Sequence, residues 1–351
     1  MNDTSAPTGQ AYRVRELTSA DEDRWDAFVE SSPAGTFFHL SGWQHIVRDS
    51  LGHPTWYLYC ERDGDILGVL PLAQVKSFLF GNALISLPFL VYGGVVSSDP
   101  EAEALLIEAA CEKARELRVD HLELRNRKPS GRDWATKSQY VSFSKAIDPD
   151  PEKNLMAIPR KQRAMVRKGI KAGLVAERDE DARRLYDALL PCKRNLGTPF
   201  FNRRYLQSIV DEFGERVEIT TITRNGDTVC SVMSFRFRNE VLPYYGGGGD
   251  AARIYKGNDF MYWAVMEQAC KDGVEIFDYG RSMVDTGAYR FKKHWGFEPR
   301  PLSYEFFLVE SETLPNLNPS NPRYQRLISI WKKLPLAVAD LIGPPVARRL
   351  G

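Results

Sequence analysis

Apolar and polar positions follow one order along the chain, and that order is written twice. Trp56-Tyr-Leu-Tyr-Cys60 and Ile66 to Val75 are apolar runs separated by Asp63-Gly64. That pattern predicts a β-hairpin, because Asp-Gly takes the left-handed backbone of a tight turn easily. Leu84 to Val96 reads as a buried strand pair or a bent strand. Asp99-Pro100 opens a helix that runs to about Leu117, with aspartate as N-cap and proline at the first position. Val119 to Leu124 alternates like a strand. Upstream, Ser19-x-x-Glu22 and Ser41-x-x-Gln44 have the form of capping boxes and place helix starts there. Between them lies the apolar Thr36-Phe37-Phe38-His39.

The second half repeats the pattern. Arg62-Asp63-Gly64-Asp65 returns as Arg224-Asn225-Gly226-Asp227, an offset of 162. Leu87-Pro88 and Tyr92-Gly93-Gly94 return as Leu242-Pro243 and Tyr245-Gly246-Gly247, at offsets of 155 and 153, and Thr36-Phe-Phe has an echo in Thr198-Pro-Phe-Phe201. A helix over Asn258 to Lys271 and a strand over Val274 to Tyr279 follow. Ordered echoes at similar offsets predict a duplicated domain. The expected seam is Asp148-Pro149-Asp150-Pro151. The expected division is a tail over 1–11, a first domain over 12–150, a second over 151–310, and a proline-rich connector with an amphipathic helical tail over 311–351. Within the last segment, Tyr324 to Leu334 reads as a short amphipathic helix. A hairpin followed by strand, helix and strand makes each repeat an α/β (α+β) unit: a mixed, mostly antiparallel sheet flanked by helices.

Composition narrows the function classes. In 351 residues, Lys plus Arg is 47 and Asp plus Glu 46, so no overall basic field recruits nucleic acid. The five cysteines form no CxxC pair and read as reduced core residues. The five histidines form no HxxxH or HExxH group, so a zinc site is not expected; GxSxG and Walker A sequences are missing too. The start of the chain has neither the basic nor the apolar region of a signal peptide, and no run approaches the roughly 18 apolar residues of a membrane span. The expected location is the cytoplasm.

Five constellations carry candidate chemistry. Tyr244-Tyr245-Gly246-Gly247-Gly248-Gly249 ends a strand, and Arg253-x-x-Lys256-Gly257-Asn258 opens a helix. Glycines admit a ligand or another backbone closely, and a helix N-terminus with added cations suits a phosphate. Tyr245, Gly247, Arg253, Lys256, Gly257 and Asn258 are therefore the expected donor-binding residues. The first half has Ser97-Ser98-Asp99-Pro100 at that place, where a carboxylate cap repels phosphate, so the donor is expected in the second half alone. Asp278-Tyr279-Gly280-Arg281-Ser282 marks a strand end. Phe291-Lys292-Lys293-His294-Trp295-Gly296-Phe297 reads as a helix with Phe291 and Trp295 buried. Arg160 to Lys171 holds six cations and no acids on one broad helical face, with Val166 and Ile170 opposite; Arg163 and Arg167 are its expected substrate contacts. The segment Phe37-Phe38-His39-Leu-Ser-Gly-Trp43 adds His39 and Trp43 as substrate-side residues.

Asp278-Tyr-Gly-Arg281-Ser282 and Gly287-x-Tyr289-x-Phe291-Lys292-x-x-Trp295-Gly296-Phe297, on doubled halves, resemble the FemAB family, and most closely its relatives associated with exosortase (PEP-CTERM) and exopolysaccharide systems. The resemblance covers roughly residues 12–310. It implies two tandem GNAT-like acyltransferase domains, the first on the acceptor side and the second holding donor and chemistry. It maps the lysine of the Phe-Lys motif onto Lys292, expected to stabilise charge in the transition state. Asp278 joins it as a catalytic candidate, and Arg281, Tyr289 and Trp295 as substrate contacts.

The expected function is N-acyl transfer to an amine on a cell-envelope or exopolysaccharide precursor, lipid- or nucleotide-linked. No tightly bound cofactor is expected; the co-substrate is acyl-CoA or aminoacyl-tRNA. The chain shows no pair of long heptad-patterned helices, which favours a small donor, whereas the basic helix favours tRNA. The alternative is a non-catalytic scaffold of an envelope assembly system. From Asn321 onward there are six Lys/Arg and one acid, Asp340, so the tail either packs on the body or touches the inner membrane face peripherally.

Overall fold

The computed structural model describes residues 11–77, 81–315 and 322–350. In chain order its elements are β1 (Arg13–Glu16), α1 (Glu22–Ser31), α2 (Gly42–His45), β2 (Thr55–Arg62), β3 (Asp65–Ser77), β4 (Gly81–Ile85), β5 (Val96–Ser97), α3 (Pro100–Glu116), β6 (His121–Asn126), β7 (Ala135–Lys137), β8 (Tyr140–Ala146), α4 (Pro151–Ala157), α5 (Arg160–Lys171), β9 (Val175–Asp179), α6 (Arg183–Leu196), α7 (Arg203–Phe213), β10 (Val217–Arg224), β11 (Asp227–Phe237), β12 (Glu240–Gly248), α8 (Asp250–Tyr255), α9 (Gly257–Lys271), β13 (Ile276–Met283), α10 (Gly287–His294), β14 (Arg300–Pro301), β15 (Ser303–Leu308), α11 (Pro322–Trp331) and α12 (Leu336–Ala347).

Two mixed sheets result. One has the order β1-β2-β3-β4-β6-β15-β7, with β5 on β3; the other is β14-β8-β13-β12-β11-β10-β9. Each contains a parallel pair, β4 with β6 and β12 with β13, beside antiparallel hairpins. The expected tail lies, apart from Ala11, outside the described residues, as does 316–321 of the connector.

The two compact units are residues 1–136 with 304–314, and 137–303 with 315–351. The boundary expected at 150 is therefore corrected to 136. The physical reason is pairing: β8 joins β13 from Ile276↔Ala146 to Met283↔Tyr140, and Ile147 N–H donates to the Glu275 carbonyl. Asp148 to Pro151 is no seam; Asp150 caps α4 by accepting from Glu152 N–H at 2.9 Å. The end expected at 310 shifts for the same reason. Glu305, on β15, accepts from the Asn126 amide and from Ser130 N–H, which ties it into the first unit.

The duplication shows most clearly in the hairpins. In the first, Cys60↔Gly68 is followed by a register shift and then Glu61↔Ile66. In the second, Ile222↔Cys230 is followed by the same shift and then Thr223↔Thr228. Every one of these positions is displaced by 162, bulge included. Asp63 and Gly64 (φ 55° and 90°) match Asn225 and Gly226 (φ 53° and 86°), the double left-handed geometry of a type I′ turn.

The second echo does not superpose. Leu242-Pro243 and Tyr245–Gly247 lie within β12, whereas Leu87 to Gly94 leave the sheet between β4 and β5. Register explains the mismatch. Ile85 and Val96 occupy the places of Leu242 and Gly247, so ten residues, 86–95, stand where the second unit has four, 243–246.

Asp99 caps α3 as expected, accepting from Ala102 N–H at 3.0 Å, a contact that contributes about 1 kcal/mol. Ser41 caps nothing: its hydroxyl donates to Asp26 at 3.0 Å. The Ser19 turn is a short 3-10 segment, and α1 starts after Asp21. The tail helix expected over 324–334 is α11. The sequence reading did not place α12, which packs on the second unit: Tyr186 hydroxyl donates to Asp340, and Arg194 to the Leu334 carbonyl at 2.9 Å.

Candidate functional site

The second unit holds a divergence of parallel strands. β12 and β13 pair at Glu240↔Ile276 and Val241↔Phe277, and no further register pair joins them among the described residues. β12 continues along β11 to Gly248, while β13 turns along β8 to Met283. Past the fork, the facing edges offer backbone N–H and C=O groups to any extended ligand lying between them. Two polar groups of β13, the Tyr279 hydroxyl and Ser282 Oγ, are buried with no hydrogen-bond partner among the described residues.

β13 bends just past the fork. A register shift separates Asp278 from Arg281, and Gly280 has φ +64°, a left-handed backbone that glycine adopts without a Cβ clash. Asp278 is fully buried, and its Oδ1 accepts from Gly280 N–H at 2.6 Å. Lys292, on α10, fixes the other side of the bend. Its Nζ donates to the carbonyls of Tyr279 (2.7 Å), Arg281 (3.0 Å) and Gly280 (3.3 Å). Burial draws the Lys292 pKa down to about 7, with the Asp278 carboxylate opposing the shift and Arg281 adding to it.

This corrects one expectation. Lys292 is the buried side chain of α10, at 9% exposure, and its three ammonium protons turn onto backbone carbonyls rather than into an open cleft. Trp295 is fully buried as expected, whereas Phe291 is half-buried. Thr286 caps α10 through Tyr289 N–H, and the half-buried Tyr289 ring stands 5.5 Å from Phe143. Arg281 lies 4.4 Å over the Tyr140 ring.

The glycines of β12 serve packing first. A Cβ at Gly248 would sit 2.6 Å from Cys230 Cβ and 2.7 Å from Ala252 Cβ; one at Gly257 would sit 2.7 Å from Val229 Cγ1. At Gly247 it would press on the backbone of Ala188 and Leu189 in α6. The close neighbours at these three positions are thus the protein's own side chains and backbone, and at Gly249 nothing lies within 4 Å. Tyr245 is buried, its hydroxyl 2.9 Å from that of Tyr205. Arg253 is exposed and paired with Asp250. Lys256 holds the left-handed corner between α8 and α9 (φ 61°), with its Nζ on the Arg253 carbonyl. No side chain caps α9 there, and Asn258 is exposed.

The sequence reading missed Asp259. It accepts from the Gln162 amide and from Trp295 Nε1 (3.1 Å), joining α5, α9 and the end of α10, and burial raises its pKa. A carboxylate directly ahead of the apolar run Phe260 to Met266 was the available signal. In α5, Val166 is buried, but Ile170 is 47% exposed, contrary to expectation. Gly169 faces inward instead, where a Cβ would stand 2.7 Å from Phe260 Cβ. Arg163 donates to the Met156 carbonyl at 2.7 Å, and Arg167 is exposed beside the Met156 sulfur.

In the first unit, His39 and Trp43 are core residues, which corrects their substrate-side reading. His39 Nε2 bonds to the Gly94 carbonyl at 2.9 Å and Nδ1 to the Thr36 hydroxyl at 2.8 Å. Burial lowers its pKa to about 4, so the ring is neutral and both nitrogens are occupied. Trp43 is fully buried, with Nε1 donating to the Phe37 carbonyl. The first unit also fills its own fork. Beyond β4 and β6, the 86–95 segment is held by Arg125, whose Nη1 donates to Leu87 and Leu90 carbonyls and whose N–H donates to Ser86 Oγ. Among the described residues no group of three metal-ligating side chains occurs, and no helix is long and apolar enough to cross a membrane.

Residues 157–293 match the family model of the acetyltransferase (GNAT) domain. No curated protein matches the chain at a significant level. Among solved structures, FemX is 16% identical with a TM-score of 0.66, over 90% of this chain and 100% of that one. L-PGS from Bacillus licheniformis is 14% identical with a TM-score of 0.56, over 92% and 97%. A tandem GNAT protein from the clavulanic acid biosynthesis pathway is 13% identical with a TM-score of 0.54, over 87% and 100%. The fold of this chain is a tandem pair of GNAT-like units.

Proposed function

We propose that the chain transfers an acyl or aminoacyl group to an amine, with the donor seated in the β12/β13 fork of the second unit. The observation that carries this reading is the contrast between forks. In the second unit, among the described residues, no ladder joins β12 to β13 past Val241 and no side chain caps α9, whereas the first closes its fork with residues 86–95 and caps α3 with Asp99. The GNAT-domain match falls on the same unit. The amide-bearing arm of an acyl-CoA has the extended shape and alternating donors and acceptors such edges pair with. Its phosphates suit the N–H groups at the start of α9, with Arg253 and Lys256 adjacent.

The amine nitrogen attacks the acyl carbon, the carbonyl oxygen takes up negative charge, and the thiolate or ester oxygen departs with the nitrogen's proton transferred to solvent or leaving group. Lys292, turned onto the Tyr279, Gly280 and Arg281 carbonyls, positions the β13 bend that borders the fork. The acceptor, on the FemAB-like motifs, is an amine of an envelope or exopolysaccharide precursor. Calorimetric titration with CoA and acetyl-CoA, beside a shift assay with aminoacyl-tRNA, tests the reading. Saturable binding of one donor, followed by transfer to an amine, supports it. Failure of all three to bind would leave a scaffold and overturn it.

A further inference from the structure

We propose that α11 and α12 form a docking surface for anionic lipid, holding the second unit against a membrane without crossing it. This inference is independent of the acyl-transfer reading. α12 has two stripes. Ala339, Gly343 and Ala347 recur at every fourth position and are buried, with Gly343 close against the Phe200 backbone. On the other side, Val338, Leu341 and Ile342 are 39%, 77% and 38% exposed. α11 repeats the arrangement: Ile328 and Trp331 are partly covered, while Leu327 and Ile330 are 59% and 61% exposed. Large aliphatic side chains at helical spacing are thus presented outward from helices whose inner faces are already packed.

Charge selects the occupant. Arg326 on α11, Lys332 and Lys333 in the joining turn, and Arg348 and Arg349 just past α12 are all exposed. The single acid, Asp340, accepts a hydrogen bond from Tyr186 on α6, which draws it towards the protein. Cations beside exposed Leu and Ile match a surface that is anionic outside and apolar just beneath. Lipid headgroups over acyl chains provide that order of layers. Lysine and arginine stems reach along apolar surface while their heads stay at the phosphates. Neither helix is long enough to span, so the contact is interfacial.

The test uses the full chain and sedimentation with vesicles of phosphatidylcholine, pure or with one third phosphatidylglycerol. Partitioning should be at least about tenfold stronger on the anionic vesicles and fall at high salt. Leu341→Gln with Ile330→Gln should reduce it about tenfold without altering charge. Lys332→Gln with Lys333→Gln, a second and independent variant, should reduce binding to anionic vesicles by about tenfold and leave the weak binding to neutral ones unchanged. Equal sedimentation with both vesicle types, or wild-type binding by both variants, would overturn the proposal. So would light scattering that shows a dimer abolished by Leu341→Gln, because the face would then belong to a second copy.

Discussion

The Lys292 ammonium lies 2.7 Å from the carbonyl oxygen of Tyr279. A lysine so placed is held by the backbone it stabilises, and its charge is carried at a cost. Its folded pKa of about 7 is below the 10.5 of a free lysine, so unfolding takes up a proton between those values. Stability should therefore rise with pH from about 7 to about 10.5. Lys292→Met should flatten that rise, read as urea midpoints at pH about 6 and about 9. Parallel profiles for wild type and variant would remove Lys292 as the source.

Turnover tests whether the β13 bend positions the site. Lys292→Met, which releases the β13 bend, should lower kcat by about 10²-fold with little change in donor affinity. Lys293→Met, one residue on, should leave it nearly unchanged. Equal small effects would confine Lys292 to folding stability.

His39 has the opposite pH window. Its folded pKa of about 4 lies below the ordinary 6.5, so its contribution is complete above 6.5 and lost as pH falls through 4. His39→Gln should remove that acid-side loss, worth on the order of 3 kcal/mol, while turnover per folded molecule is unchanged. A variant with normal stability and lost activity would return His39 to the substrate side.

Gly248→Ala should destabilise by about 1–3 kcal/mol, because the added methyl meets Cys230 and Ala252. Gly249→Ala, with nothing within 4 Å, is the control. Chemical denaturation of the pair checks this, and equal stability would contradict the packing account.

Arg253→Ala with Lys256→Gly should weaken CoA binding several-fold without loss of stability. Relief of the left-handed Lys256 should even add about 1 kcal/mol. Unchanged affinity at low salt would place the phosphates elsewhere.

Local signals were legible where one residue type decides geometry. Asp63-Gly64, Asn225-Gly226 and Asp99-Pro100 each specify a turn or helix start by their own backbone preferences, and the structure follows them. Ser41 looked like a cap, but Asp26 competes for its hydroxyl across 15 residues, which no local pattern records. The Phe-Lys motif marked Lys292, but the direction of its ammonium depends on the bulge at Gly280, a tertiary event. The echo of Leu87-Pro88 in Leu242-Pro243 misled because an insertion of backbone changes a strand into a loop while leaving the letters alike. The boundary at 150 failed for a related reason: β8 looks like the end of the first repeat until its partner, β13, is known.

That strand arrangement has a consequence for biosynthesis. β15 belongs to the first sheet, although it is made after the whole of β8 to β14. At about 5–20 residues per second, Leu308 leaves the ribosome roughly 10–40 s after Asn126. During that interval the β6 edge stands uncovered, with Asn126 and Ser130 waiting for Glu305. A nascent chain in this state presents an open sheet edge, the kind of surface that chaperones and neighbouring chains bind.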